Sequence, residues 1–164
     1  MDLGLESLVR SVFNNKKLVL VMKIFCHFTS ALCVLSFCYL CFAFIKISFL
    51  SLIGILIVLG APFVLVSLLR RIINAKRPYE IYDFFDAPPK EKKGHSFPSR
   101  HAFSAFAIGT VALFVSVPIG AVILFLGAVM CFCRVALGIH FVRDVVCGAI
   151  IGIATSLIGA IILL

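Results

Sequence analysis

Residues 18–69 read LVLVMKIFCHFTSALCVLSFCYLCFAFIKISFLSLIGILIVLGAPFVLVSLL, a long apolar run whose main interruption is Lys46-Ile47-Ser48. A membrane-crossing helix needs about 20 apolar residues, so this run is long enough for two, joined by a turn at the interruption. A helical hairpin is expected, with arms at about residues 22–45 and 48–69. Each arm rises roughly 33 Å at 1.5 Å per residue, enough to cross a bilayer.

The chain on either side extends this reading. Leu5, Leu8, Val9, Val12 and Phe13 recur at helical spacing before Lys16-Lys17, which predicts a short amphipathic helix over residues 1–17 lying in the membrane interface. Asp2 and Glu6 make this N-terminus acidic, unlike a secretory leader, so the first apolar segment is expected to stay in the mature protein. Downstream, apolar stretches at about 101–117, 119–138 and 145–164 predict three more spans. A turn at Val117-Pro118-Ile119-Gly120 and a polar break from Gly138 to Asp144 separate them. The expected fold is an all-α integral-membrane bundle of five spanning helices.

Composition agrees. With 164 residues, 63% hydrophobic, 13% charged and a mean hydropathy of +1.21, the chain is too apolar for an ordinary soluble domain and long enough for one membrane domain. Its net charge of +8 does not point to nucleic acid, because it has no Trp, three Tyr and only the short basic patch Lys90-Glu91-Lys92-Lys93. The seven cysteines include one C-x-x-C, Cys38-Tyr39-Leu40-Cys41, inside an apolar segment, form no Cys/His cluster and are expected to act as small hydrophobes.

Residues 70–98 break the apolar pattern with Arg70, Arg71, Lys76, Arg77, four acids and four prolines. An extramembrane loop is expected there, its aromatics Tyr79, Tyr82, Phe84 and Phe85 suited to headgroup level. Five spans place this loop, the N-terminus and the 138–144 break on one side of the bilayer.

Ionisable groups at membrane depth are costly and point to function. Here they collect on that one side, at Arg70 with Arg77-Pro78, at Pro98-Ser99-Arg100-His101, and at Arg134 with His140 and Asp144. Guanidinium forks match phosphate oxygens, although snorkelling anchors would look alike, and Arg71 and Lys76 fit that plainer role. Ser99 stands where a helix begins, either as a cap or as part of an anion site made by free backbone N–H groups. His140 and Asp144 are four apart, so a helix beginning near His140 would put them on one face, with the carboxylate orienting the imidazole. His95 reads as a loop-packing side chain, and His27 as a neutral imidazole bonded to a neighbouring helix.

Arg70-x6-Arg77-Pro78, Pro98-Ser99-Arg100-His101 and Arg134-x5-His140-x3-Asp144 together resemble the three-part signature of the type 2 phosphatidic acid phosphatases, a family that also includes vanadium haloperoxidases. The resemblance spans residues 70–144. Arg70 stands where that family usually has Lys, Arg100 where it usually has Gly, and Cys133 where a Ser commonly precedes the arginine. Beside the interfacial segment read at 1–17, it implies one lipid phosphatase domain at 18–164, with an active-site loop at 70–98. It implies that His140 attacks phosphorus to form a phosphohistidine, that Asp144 positions it, and that His101 protonates the leaving oxygen. Arg70, Arg77, Ser99, Arg100 and Arg134 would bind the phosphoryl oxygens, with no cofactor and no metal.

The implied partners are the bilayer and a lipid phosphate or diphosphate. An isoprenoid diphosphate such as undecaprenyl diphosphate is expected first, then phosphatidylglycerol phosphate or phosphatidate. Bacterial members of the family are expected to face the extracytoplasmic side, whereas every Lys and Arg except Lys46 falls on the active-site side, which the positive-inside rule calls cytoplasmic. Two rivals use the same residues. His101, His140 and Asp144 could hold a metal, though the surrounding arginines would repel a cation. An anionic-lipid carrier or flippase would grip phosphate without cleaving it, but binding alone needs no histidine-carboxylate pair.

Overall fold

The computed structural model describes residues 3–82 and 93–163. Among them the chain is helical, in the order α1 (Leu3–Asn14), α2 (Lys16–Ile47), α3 (Phe49–Ile73), α4 (Pro78–Ile81), α5 (Arg100–Val115), α6 (Val117–Ala136) and α7 (Val142–Leu163). Four helices among the described residues are long and apolar enough to cross a membrane, and α5, with 16 residues, is a shorter apolar helix between them. The expected integral-membrane bundle is therefore what forms.

Single polar residues set the corners. Asn15 separates α1 from α2 and accepts the Leu18 N–H on its side chain at 3.1 Å. Ser48 ends α2 by donating its N–H to the Phe44 carbonyl at 3.2 Å and starts α3 by accepting the Ser51 N–H on its hydroxyl at 3.0 Å. One residue thus satisfies orphan groups of two helices. Ser116 does similar work between α5 and α6, its N–H bonded to the Ala112 carbonyl at 2.7 Å. The turn expected over residues 117–120 is thus Ser116 alone, with Pro118 in the first turn of α6, where its missing N–H costs nothing.

Helix boundaries depart from the sequence reading in two places that matter. α2 begins at Lys16, so α1 and α2 meet without a linker, and Val9 and Val12 of α1 are buried rather than turned to lipid. α3 runs on to Ile73, four residues into the expected loop, because the Arg70 side chain bends back onto main-chain carbonyls instead of needing water. The aromatics Phe84 and Phe85, like the rest of 83–92, lie outside the described residues, and Tyr79 and Tyr82 are half-buried.

α5 occupies the centre, packed against α2, α3, α6 and α7. Its buried positions are mostly small, Ala102, Ala105, Ala107, Gly109 and Ala112 among them, which lets neighbouring backbones close in. One close approach is to α7, where a Cβ on Gly148 would lie 2.5 Å from the Ser99 carbonyl oxygen and one on Gly152 2.6 Å from that of Phe103. At about 24 Å, α5 is shorter than a ~30 Å hydrocarbon core. The outward faces of α2, α3, α6 and α7 carry exposed Leu20, Phe28, Leu35, Val64, Phe125 and Ile150, a surface suited to lipid. His27 belongs to that outward face, and its Nδ1 bonds the Lys23 carbonyl of its own helix at 2.8 Å, not a neighbouring helix as expected.

Candidate active site

The ends of α3 and α6, the starts of α5 and α7, and α4 with residues 93–99 meet on one side. Asn74 turns the chain out of α3 in the left-handed region, and Gly94 faces it so closely that a Cβ there would lie 2.3 Å from Asn74 Oδ1. Gly94 also has a φ of 68°, so both space and backbone ask for glycine. Glu80 Oε1 accepts the backbone N–H of Arg77 at 3.0 Å and that of Gly94 at 2.7 Å, while Arg77 Nε donates to the Gly94 carbonyl at 3.0 Å. The two limbs of the loop are thereby closed on each other, and Arg77 is fixed by one edge of its guanidinium.

Arg70 is buried in the last turn of α3 and donates from one terminal nitrogen to the carbonyls of Ser96, at 3.3 Å, and Pro98. Its main-chain carbonyl receives His95 Nδ1 at 2.9 Å, so His95 packs the loop against α3 as expected. Arg77, Arg100, Arg134 and Asp144 all lie within electrostatic range of Arg70. His101 lies within range of Arg134, His140, Arg100 and Arg70. Groups that sequence separates by up to 74 positions, Arg70 to Asp144, are thus gathered around one space.

Ser99 is fully buried and its hydroxyl accepts the Ala102 N–H at 3.4 Å, the capping role, while its own N–H bonds the Asp144 carbonyl at 2.9 Å. Arg100, the next residue, is exposed. His101 then turns into the bundle.

The histidine-carboxylate pair forms, but not on a shared helix face. α7 starts at Val142, and His140 sits in the preceding turn, held by its N–H and that of Ile139 to the Arg134 carbonyl at 3.3 and 3.0 Å. Asp144 reaches back instead. Its Oδ2 accepts the Phe141 N–H at 3.0 Å, as a carboxylate does at a helix start, and lies 3.5 Å from His140 Nδ1. His140 is 2% exposed and Asp144 0%. Burial pushes the His140 imidazole down to about 4; the Asp144 bond works against this, and Arg134 and Arg77 reinforce it.

Ser96, which the sequence reading passes over, completes this pair. It is fully buried, and its hydroxyl donates to Asp144 Oδ2 at 2.5 Å. A serine three residues ahead of a helix cap reads as a turn residue. Its partner is 48 residues away and becomes visible only once α5 and α7 are packed.

Below this polar layer lies an apolar cavity of about 510 Å³ that runs along α5 from Arg100 and His101 to Ile108. Val34, Phe37, Leu59 and Phe63 wall it, and Gly60 opens into it with nothing within 4 Å of where its Cβ would be. Its volume is that of a pocket for one small ligand or part of a larger one. Among the described residues, no three His, Cys, Asp or Glu side chains gather as a metal site. The described cysteines are free thiols, buried at Cys26, Cys33 and Cys133 but exposed at Cys38.

Comparison with known proteins agrees with this fold. The family model described as the PAP2 superfamily matches residues 48–163. Among solved structures, the chain is similar to LpxE of Aquifex aeolicus, with a TM-score of 0.71 and 25% identity over 94% of this chain and 93% of that one. It also shares its fold with the first transmembrane PAP2 type phosphatidylglycerolphosphate phosphatase from Bacillus subtilis, with a TM-score of 0.66 and 22% identity over 97% of this chain and 86% of that one. No curated protein sequence matches.

Proposed function

The chain belongs to the PAP2 superfamily, and from that premise we propose that it hydrolyses a membrane lipid phosphate or diphosphate through a phosphohistidine on His140. The observation that carries this reading is the buried His140–Asp144 pair, Nδ1 to Oδ2 at 3.5 Å, set within electrostatic range of Arg77 and Arg134. With Nδ1 turned to the carboxylate, Nε2 carries the lone pair for attack. Nε2 bonds to phosphorus as the bond from phosphorus to the ester or anhydride oxygen breaks, and His101 gives that oxygen its proton. Water then attacks the phosphohistidine and yields a proton to His101. The P–N bond breaks, phosphate leaves and His140 is restored.

Arg70, Arg77, Arg100 and Arg134 supply fixed positive charge around the three phosphoryl oxygens, where little covalent work is left for the protein. Ser99 keeps its hydroxyl proton while accepting at the cap, so it can donate to the same oxygens. Arg100 supports a diphosphate. It is exposed at the rim of the cavity beside His101, and no hydrogen bond or ion pair with another described residue occupies it. A second phosphate would find its partner there. An isoprenoid diphosphate such as undecaprenyl diphosphate is accordingly the first substrate to try.

Phosphate release from detergent-solubilised protein tests this on an isoprenoid diphosphate, phosphatidylglycerol phosphate and phosphatidate, each with and without chelator. Release that survives the chelator, fastest on the diphosphate, is expected. Release from none of them would leave a carrier, and loss with chelator would point to a metal.

The cavity supports the lipid part of the reading, and Gly60 offers a way to probe it. A Cβ at Gly60 meets nothing within 4 Å, so Gly60→Phe is a substitution that takes up room in the cavity. Loss of room for two methylenes at about 0.8 kcal/mol each corresponds to more than tenfold in kcat/KM. That loss is expected on a long-chain substrate, with kcat/KM on a small water-soluble phosphate ester unchanged within about twofold. Equal losses on both would mean that the chain does not lie in the cavity.

A further inference from the structure

Asp144 Oδ2 serves several donors at once: the Ser96 hydroxyl at 2.5 Å, the Phe141 N–H at 3.0 Å and His140 Nδ1 at 3.5 Å. The other oxygen, Oδ1, has no hydrogen bond and lies 3.7 Å from Arg143 Nε, on a side chain that is 71% exposed. Rotation of the carboxylate toward that arginine would take Oδ2 away from the imidazole. The Ser96 hydroxyl and the Phe141 N–H oppose the rotation, and the serine has the shorter bond. It also lies 3.4 Å from His140 Nδ1, so it borders both members of the pair.

The same residue reaches the arginines through its main chain. Its carbonyl accepts from Arg70 at 3.3 Å, and its N–H is fixed to the Ala75 carbonyl at 2.9 Å, just past the end of α3. Ser96 therefore touches the carboxylate by its side chain and a guanidinium by its backbone, and it is 0% exposed while doing so.

We propose that Ser96 is a positioning residue that locks the Asp144 carboxylate onto His140 and sets that pair in register with the Arg70 guanidinium. The proposal rests on the catalytic reading of His140 given above. Because the link to Arg70 runs through the carbonyl, which survives any substitution, a change of side chain should disturb the nucleophile and spare phosphate binding. That separation is what a merely structural role would not produce.

The test compares wild type, His140→Ala, Ser96→Ala and Ser96→Cys on one lipid phosphate substrate, measuring kcat, KM and inhibition by inorganic phosphate. For Ser96→Ala, kcat is expected to fall about 10- to 100-fold, with KM and the phosphate inhibition constant within about twofold of wild type. Ser96→Cys, close in volume but a weaker donor, is expected to fall between the two. It carries the test if the alanine variant does not fold.

A wild-type kcat in the folded variants would overturn the proposal, and so would a fall in kcat matched by an equal loss of phosphate affinity. If wild type itself releases no phosphate, the catalytic reading fails with it. If wild type is active, His140→Ala is inactive and the Ser96 variants are unaffected, the failure belongs to Ser96 alone.

Discussion

Replacing His140 by alanine is expected to lower kcat about ten-thousand-fold or more, the scale on which loss of a covalent nucleophile acts. The other groups of the site remain in His140→Ala, so substrate should still bind and KM should change little. The side chain is 2% exposed and, among the described residues, bonds to Asp144 and Ser96, so the helices around it keep their contacts. The pH profile belongs to the same prediction. Burial, with Arg134 and Arg77 nearby, holds the imidazole neutral down to about pH 4 against the partial pull of Asp144. The acid limb that His140 contributes to kcat/KM is thus expected near pH 4 instead of near 6.5, and is to be read from initial rates across that range. The linked effect on stability has the same sign. The unfolded chain takes up a proton near pH 6.5 and the folded one only near 4, so this residue's contribution is lost as pH falls through that window.

The second large effect is expected for Asp144→Asn, about ten-thousand-fold in kcat, as where an orienting carboxylate beside a catalytic histidine becomes an amide. Size is conserved, but donor and acceptor are not. Ser96 Oγ and the Phe141 N–H both donate toward Oδ2, so the amide oxygen takes that position or leaves both donors unmet. Kept there, the oxygen still faces His140 Nδ1 but carries no charge; turned over, the amide N–H₂ meets the imidazole at the cost of both donors. The first leaves the imidazole cation without its stabilising charge, and the second favours the tautomer with the proton on Nε2, the nitrogen that must attack. Loss of a buried negative charge among arginines also leaves their repulsion uncompensated. Single-turnover rates separate the two effects. A slow chemical step with normal phosphate binding reports the change at the imidazole, and weakened or misfolded protein reports the uncompensated arginines.

These expectations draw on what sequence and structure each contribute. The hairpin, the placing of both loops on one side and the gathering of Arg70, Arg77, Arg100, His101, Arg134, His140 and Asp144 were legible, because apolar length and the cost of charge in a membrane leave few other arrangements. Helix ends were less legible. Arg70 and Arg71 read as the start of a loop, yet Arg70 finds carbonyls of Ser96 and Pro98 to bond, so α3 continues. A spacing of four suggested that His140 and Asp144 share a helix, but a carboxylate at a helix start can turn back past the end of that helix and meet the same imidazole. Ser96 was not legible at all. Nothing in its neighbours marks it, and its role depends on Gly148 and Gly152 letting α7 close on α5. Orientation was less legible, because several of the charges that orientation rules count are the arginines that would bind phosphate, while Lys16, Lys17, Lys90, Lys92 and Lys93 are not.

Covalent participation of His140 is the claim on which the rest depends, and it can be observed directly. Wild type, His140→Ala and His101→Ala would be mixed with a substrate labelled with phosphorus-32 in the transferred phosphoryl group, in chelator, and quenched in alkali within milliseconds to seconds. Label bound to protein, stable to alkali and released by acid, is expected in wild type and mapped to the peptide carrying His140, and it should be absent from His140→Ala. Phosphate release by wild type without any such label, or a label that persists in His140→Ala, would contradict the account.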